Sequence, residues 1–117
     1  MKPQGYSKEL RLLKAFEFRR ARQRGGRRRT ANFSFCVWKR DGTLRLGISV
    51  GREAGGAVRR NWIKRRIREF FRLNRQAIGF SGDVIVSGLS KCGLVKGSEL
   101  EKELNKGLEV KAERTQV

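Results

Sequence analysis

The residues best placed to do chemistry are the cations of VRRNWIKRRIREFFRLNR, residues 58–75, where eight basic side chains accompany a single carboxylate. Arginine dominates this stretch, and its planar guanidinium can hold a phosphate through two parallel hydrogen bonds. The stretch therefore indicates a surface that binds a polyanion.

Apolar residues recur through the same stretch at helical spacing. At about 100° per residue, one arc of a helix would carry Ile63, Ile67, Phe70 and Phe71. The neighbouring arc would carry Asn61, Lys64, Arg65, Arg68, Arg72 and Arg75. Only Glu69 could pair with these cations, and like charges three or four residues apart destabilise a helix. The pattern favours a helix that packs along one arc and binds nucleic acid along the next; a merely solvated basic surface is the alternative.

Several kinds of site are absent from the sequence. The chain has no histidine, and its two cysteines, Cys36 and Cys92, form no CxxC pair, so a zinc site or a protein-borne nuclease centre is not expected. The glycine-rich stretch GREAGGA at 51–57 lacks both GxxxxGK[ST] and GxGxxG, which argues against a nucleotide loop. A Cys36–Cys92 disulfide is possible by count, but two buried thiols are the preferred interpretation.

The excess charge of the chain is unevenly distributed. Residues 1–75 hold 23 Lys and Arg against 5 Asp and Glu, whereas residues 76–117 hold 6 of each, so the whole net charge of +18 lies in the first part. Nucleic acid is the commonest partner of such a potential, and an anionic membrane surface is the rival. No apolar run suggests a membrane span or a signal peptide, and we expect a cytoplasmic protein.

A length of 117 residues suits one domain, with an ordered core at about 9–108 and a flexible tail at 109–117. Period-two alternation predicts strands on either side of Asp41-Gly42, a hairpin signal, and the run DVIVSG at 83–88 predicts a buried strand. Helices are expected at 8–24, at 58–75 and after Ser98, which would form a capping box with Glu101. The sequence GGRRR at 25–29 reads as a solvated loop.

Specific residues carry a resemblance to a known family. The spacing Arg60-Asn61-x-x-Lys64-Arg65-x-x-Arg68-Glu69 follows the strand RLGISV and a small-residue loop that ends in Ala-Val. With the early RLLKAFEFRR and the later DVIV, this spacing resembles the bacterial ribonuclease P protein subunit over about residues 9–108. The resemblance implies an α+β fold, a two-layer α/β sandwich in the order helix-strand-strand-strand-helix-strand-helix. It also implies a left-handed crossover, against the general rule for parallel connections.

The family resemblance implies a protein that assists a catalytic RNA in removing the 5′ leader of precursor tRNA. The RNA performs the hydrolysis with Mg²⁺, and no cofactor or metal is expected on the protein. The positions implied to contact the catalytic RNA are Arg59, Arg60, Asn61, Lys64, Arg65, Arg68 and Arg72. Those implied to line a cleft for the leader are Phe18, Cys36, Trp38, Ser49 and Arg52.

Some alternatives stay open at the level of sequence. Phe18 and Trp38 could be ordinary core residues, Cys36 stands where relatives often have an aromatic residue, and Glu53 stands where a basic residue is common. A small ribosomal protein would share the size and charge of this chain. A DNA-binding regulator would place the basic helix in a major groove. Neither a membrane nor an obligate protein partner is expected.

Overall fold

A computed structural model describes Arg11 and residues 14–110. Within this part the helices are α1 (Ala15–Arg24), α2 (Ala57–Asn74) and α3 (Gly97–Gly107). The strands are β1 (Gly26–Arg29), β2 (Phe33–Lys39), β3 (Arg45–Ser49) and β4 (Gly82–Gly88). The predicted α+β class and order of elements are confirmed. The helix predicted at 8–24 begins later, at Ala15, and Arg11 instead forms an isolated parallel bridge with Leu46. The apolar residues predicted at 10, 12 and 13 in that helix lie outside the described residues, as do residues 111–117 of the tail predicted at 109–117.

The four strands form one mixed sheet in the order β1-β2-β4-β3. β4 runs antiparallel to β2 and parallel to β3, and α2 lies between β3 and β4 in the chain. The prediction of a hairpin at Asp41-Gly42 is therefore wrong. Gly42 does adopt the positive φ of a tight turn, at 113°, but the turn leads to a strand that is separated from β2 by β4. The left-handed sense of the β3-α2-β4 crossover connection stays a prediction.

The arginine-rich segment after α1 is a strand, so the prediction of a loop at 25–29 is wrong. β1 pairs with β2 along one edge, and all four of its residues are exposed. Because an edge strand projects its side chains into water on both faces, adjacent arginines are tolerated there. Gly25 permits the sharp entry into β1, since a Cβ atom at this position would lie 2.7 Å from the carbonyl oxygens of Ala21 and Val37.

The main core lies between one face of the sheet and the helices α2 and α3. Phe33, Phe35, Val84 and Val86 contribute from the sheet, and Leu100, Leu104 and Leu108 contribute from α3 and the residue after it. All four apolar positions predicted for α2 are buried: Ile63, Ile67, Phe70 and Phe71. The helical periodicity of residues 58–75 thus correctly predicted which side of α2 faces the core.

The opposite face of the sheet is covered in part by α1, which packs on β2 and β4. A small cluster of Ala21, Cys36 and Ile85 is completed by the partly buried rings of Phe18 and Trp38. The sheet therefore separates α1 from α2 and α3, and the main sandwich has α1 as an added partial layer.

The predicted capping box at Ser98 and Glu101 is wrong by two positions, because Lys96 and Glu99 occupy those roles. α3 begins at Gly97, and the carboxylate of Glu99 accepts a hydrogen bond from the backbone N–H of Lys96 at 3.2 Å. Glu17 accepts from the backbone N–H of Lys14 at the same distance at the start of α1. A glutamate three residues into each helix satisfies a free donor and complements the helix dipole.

Cys36 and Cys92 are both free and buried, as the preferred interpretation of the sequence holds. Burial raises the pKa of each thiol above its ordinary value. For Cys36, the nearby guanidinium groups of Arg27 and Arg22 act in the opposite direction but with a smaller effect. Both thiols therefore stay protonated at neutral pH and contribute as small apolar side chains.

The two arcs of α2 can be tested separately by mutation. Ile67→Ala should lower the free energy of unfolding by about 2–5 kcal/mol, because it opens a cavity at a fully buried position. Arg65→Ala, on the exposed arc, should change it by less than about 0.5 kcal/mol. Chemical denaturation of both variants measures the difference. Equal destabilisation by the two substitutions would contradict the assignment of the arcs.

Candidate nucleic-acid interface

The exposed arc of α2 carries four polar or basic side chains without an ion pair in the described part of the chain. We call these residues the basic flank: Asn61, Lys64, Arg65 and Arg68. Asn61, Arg65 and Arg68 are exposed, and Lys64 is half-buried. Asn61 lies three and four residues before Lys64 and Arg65, and Arg68 lies four and three residues after them, so the four side chains share one side of the helix. Donors from all four can therefore reach the same bound polyanion.

The other predicted RNA-contacting cations have contacts within the protein. Arg59 donates from Nε to the carbonyl oxygen of Gly93 at 2.6 Å and from Nη2 to that of Val95, and its guanidinium lies 4.3 Å from the centre of the Trp62 ring. Arg60 donates from Nε to the carbonyl oxygen of Gly55 at 3.2 Å. These contacts anchor the first turn of α2 to the segments before and after it.

Arginines at the carboxyl end of α2 and just after it are also bonded within the protein. Arg72 donates to both carboxylate oxygens of Glu69, and this bonding lowers the pKa of the Glu69 carboxyl group. Arg75, which the helical pattern also placed on the basic arc, donates to the carbonyl oxygen of Leu44 at 2.9 Å. The predicted basic arc is therefore divided between cations that hold the fold and cations of the basic flank.

A groove opens where α1, β3 and α2 meet. Its cavity measures about 140 Å³, and Phe18 reaches it from α1 while Lys64 and Arg68 reach it from α2. Gly47 and Ile48 of β3 contribute to the floor. The structure thus brings one residue predicted for the leader cleft next to two residues predicted to contact the catalytic RNA.

Hydroxyl groups extend along the sheet on the α1 side. Ser49 pairs in register with Ser87, and Ser87 pairs in register with Ser34. Each serine lies two residues along its strand from a position at or beneath α1. Side chains two residues apart in a strand point to the same face, so the three hydroxyl groups lie on the α1 side of the sheet. Ser49, predicted for the cleft, is exposed. Arg52 is also exposed, in the short 3-10 turn Arg52–Ala54 before α2.

Two residues predicted for the cleft occupy other positions. Cys36 is buried beneath α1, where its thiol donates to the carbonyl oxygen of Ala21 at 3.3 Å. Trp38 lies beside β1, at the sheet edge opposite β3, and lines a different cavity. The strand alternation placed both side chains on the correct face, but it could not show which part of that face α1 would cover.

An ion-pair network that sequence reasoning missed holds α1 over the sheet. Asp83, fully buried at the start of β4, accepts from Arg40 at 2.8 Å and from Nε of Arg45 at 3.1 Å. Arg45 also pairs with Glu17 of α1 at 3.2 Å, and hydrogen bonding to Asp83 raises its pKa above the ordinary value. An acid that immediately precedes the apolar run VIV was the available signal for a buried carboxylate.

Residues 11 and 14–110 lack two further kinds of site. No group of three or more His, Cys, Asp or Glu residues in this part of the chain could hold a metal ion. None of the helices described is long and apolar enough to cross a membrane.

Comparison with known proteins decides among the functions that the sequence leaves open. Residues 6–111 match the family model described as Ribonuclease P. The chain is 39% identical over 100 residues to the ribonuclease P protein component of Desulfosudis oleivorans. The alignment covers 85% of this chain and 83% of the relative. The chain is also 35% identical over 105 residues to that of Syntrophus aciditrophicus, which covers 89% and 88% respectively.

The chain belongs to the ribonuclease P protein family.

Solved structures of the family share its fold. The RNase P protein of Staphylococcus aureus superposes with a TM-score of 0.80 at 29% identity, over 86% of this chain and 94% of that one. The protein of Thermotoga maritima gives 0.76 at 30% identity, over 85% and 94%. Members of the family are subunits of ribonuclease P, a ribonucleoprotein endoribonuclease of tRNA processing, which implies association with the RNase P RNA.

The contacts of Arg59 generate a prediction that separates fold stability from RNA binding. Arg59→Ala should lower the free energy of unfolding by about 1–3 kcal/mol, because it leaves two partly buried carbonyl oxygens without a donor. Arg68→Ala removes the same kind of side chain from the basic flank and serves as the matched control, with little change expected. Thermal and chemical unfolding measure both. If the Arg59→Ala protein is as stable as the control, Arg59 does not hold the fold and should be grouped with the exposed cations of the basic flank.

Proposed function

We propose that this chain binds the RNase P RNA through the basic flank of α2 and binds the 5′ leader of precursor tRNA in the groove between α1, β3 and α2. The observation that carries the proposal is the position of Lys64 and Arg68, which belong to the basic flank and also line the groove beside Phe18. One RNA bound along the flank and another in the groove would lie next to each other.

The electrostatics of the basic flank suit RNA phosphates. Lys64, Arg65 and Arg68 have no carboxylate partner among the described residues, so binding an anion does not require an internal ion pair to break. The α2 backbone is fixed by the buried apolar arc, so the cations are presented from a rigid support. Phosphate contacts of this kind position the RNA and read its shape rather than its sequence.

The groove suits an unpaired strand. Phe18 is half-buried, so one part of its ring packs on the cluster with Ala21 while the remainder faces the groove. Stacking of a base on an aromatic ring stabilises binding by about 1–3 kcal/mol and accepts any base. The hydroxyl groups of Ser49, Ser87 and Ser34 continue the polar surface beyond the groove and can bond to sugar or phosphate oxygens.

In this proposal the RNA partner performs the hydrolysis with Mg²⁺, and the protein contributes binding and orientation. The carboxylates near the basic flank are few, and Glu69 is bound to Arg72. Cations of the protein lower the repulsion between the precursor and the catalytic RNA, which reduces the Mg²⁺ needed for assembly.

The RNA contact is tested by removing two charges from the basic flank. Arg65→Ala with Arg68→Ala should weaken binding to the RNase P RNA and reduce the magnitude of the slope of log affinity against log salt by about 1.4 to 1.8, because each phosphate contact contributes roughly 0.7–0.9. Filter binding at several salt concentrations measures the slope.

Lys102→Ala with Lys106→Ala provides the matched control, since it removes two exposed positive charges from α3. An identical drop in slope for both double variants would show that only the net charge matters. Precursor cleavage at low Mg²⁺ by the reconstituted particle should follow the same order as the affinities.

The leader contact is tested at Phe18. Phe18→Ala should reduce the preference for leader-bearing precursor over mature tRNA by roughly 5- to 150-fold, the equivalent of one lost stacking contact. Phe16→Ala is the matched control, because Phe16 is exposed on α1 but is absent from the groove lining. Equilibrium binding of both tRNA forms to the reconstituted particle gives the preference. A preference unchanged by Phe18→Ala would exclude the ring from leader recognition.

A further inference from the structure

We infer that the chain has a further RNA-binding site, separate from the groove and the basic flank, which takes an unpaired nucleotide beside Trp38. We call it the Trp38 site. This inference rests on the membership of the chain in an RNA-associated family and does not require the leader to lie in the groove.

The Trp38 site is a basic cavity at the β1 edge of the sheet. Its volume is about 380 Å³, within the range of roughly 300–1,000 Å³ that is typical of small-molecule pockets. Four cations and one aromatic ring line it: Arg24, Arg27, Arg28, Lys39 and Trp38. No carboxylate belongs to the lining, so the cations repel one another until an anion enters.

Pairing within the protein accounts for only part of this charge. Arg28 pairs with Glu109, the residue that follows α3 and Leu108. Arg24 and Arg27 have no ion pair among the described residues, and Lys39 is placed over the ring of Phe80 at 5.7 Å. Arg24 and Arg27 therefore offer donors that can bind a phosphodiester without competition from a carboxylate.

Three guanidinium groups lie close to the Trp38 ring. The guanidinium carbons of Arg40, Arg20 and Arg24 lie 4.3, 5.6 and 5.6 Å from the centre of the Trp38 ring. Arg20 also lies 5.5 Å from the exposed ring of Phe16, and its Nε is buried without a hydrogen-bond partner.

The chemistry of the site favours an unpaired nucleotide over other anions. A phosphate can reach Arg24 and Arg27 while the base contacts Trp38, and aromatic rings flanked by cations are the common means of binding single strands. An acidic peptide would satisfy the charges but not the ring. Double-stranded RNA would present its phosphates while its stacked bases stay out of reach.

The position of the site separates its ligand from the strand in the groove. The groove lies at β3 and the Trp38 site lies at β1, which are the two opposite edges of the sheet. α1 packs on β2 and β4 between them. The nucleotide could belong to the catalytic RNA or to the precursor tRNA, which present the same chemistry.

Tryptophan fluorescence tests the site directly. In a Trp62→Phe background Trp38 is the only tryptophan, and a single-stranded oligouridylate of about ten nucleotides is the probe. We expect saturable quenching of Trp38, weakened by at least about tenfold in affinity when Arg24→Ala and Arg27→Ala remove two charged contacts. The control pair Lys102→Ala with Lys106→Ala, which lies on α3, should leave the affinity within about threefold.

Several outcomes would overturn the inference: no quenching, equal quenching by polyglutamate, or an affinity that depends on Phe18 rather than on Arg24 and Arg27. Circular dichroism checks that each variant is folded, and Arg24→Gln with Arg27→Gln repeats the test if the alanine pair unfolds. Quenching by RNase P RNA without precursor would identify the catalytic RNA as the source, and quenching only by precursor would identify the tRNA. A failure here, with Phe18→Ala still reducing leader preference, would leave the proposed function intact.

Discussion

The scarcity of carboxylates determines which arginines belong to the fold and which face a partner. The whole chain has 29 basic residues against 11 acids. Among the described residues, five carboxylates pair with arginine, and each holds a junction between elements or a helical turn: Glu17, Glu69, Asp83, Glu101 and Glu109. Other arginines of the fold, such as Arg59 and Arg75, are held by backbone carbonyls instead. Cations without an ion pair among the described residues include Lys64, Arg65 and Arg68 of the basic flank and Arg24 and Arg27 of the Trp38 site.

Asp83 has the largest structural effect of these carboxylates. It is buried at the start of β4, where a carboxylate is stable only with partners, and Arg40 and Arg45 supply them. Through Arg45 the network reaches Glu17 and so fixes α1 across β2 and β4. That position of α1 creates two separate surfaces, the groove at β3 and the Trp38 site at β1. The position of α1 beside the groove thus depends on an ion-pair network whose members do not line the groove.

The parts of this structure that the sequence predicted are those set by local periodicity. Ile63, Ile67 and Phe71 repeat at helical spacing, and a helix buries such a stripe whatever lies opposite it. The order of the strands depends on β4, which inserts between β2 and β3 from far along the chain, and no pattern around Asp41-Gly42 carries that information. The strand at 26–29 was missed for the same reason, because its pairing with β2 stabilises a segment whose own residues repel each other.

The residues of the basic flank and the groove were predictable to a similar extent. Spacing identified Lys64, Arg65 and Arg68, and the family resemblance added Phe18, which the structure brings to the same groove as Lys64 and Arg68. The position of Trp38 required the placement of α1, which depends on the nonlocal pairs of Asp83. The division of arginines into structural and exposed groups was equally inaccessible, because the carbonyl partners of Arg59 lie more than thirty residues away in the chain.

The arrangement also explains how an isolated protein tolerates so much like charge. Each exposed cation of α2 raises the free energy of the folded chain through repulsion, and burial of Ile63, Ile67 and Phe71 offsets that cost. In the proposed complex, RNA bound at the basic flank would remove the repulsion, and a ligand that binds only the folded form stabilises it in proportion to the logarithm of its concentration. Binding and folding would then be coupled through the same helix: the apolar arc makes the free protein stable enough to present its charges, and a bound polyanion relieves the repulsion among them. A compensating set of acids on α2 would stabilise the free chain but would also neutralise the surface proposed for the RNA.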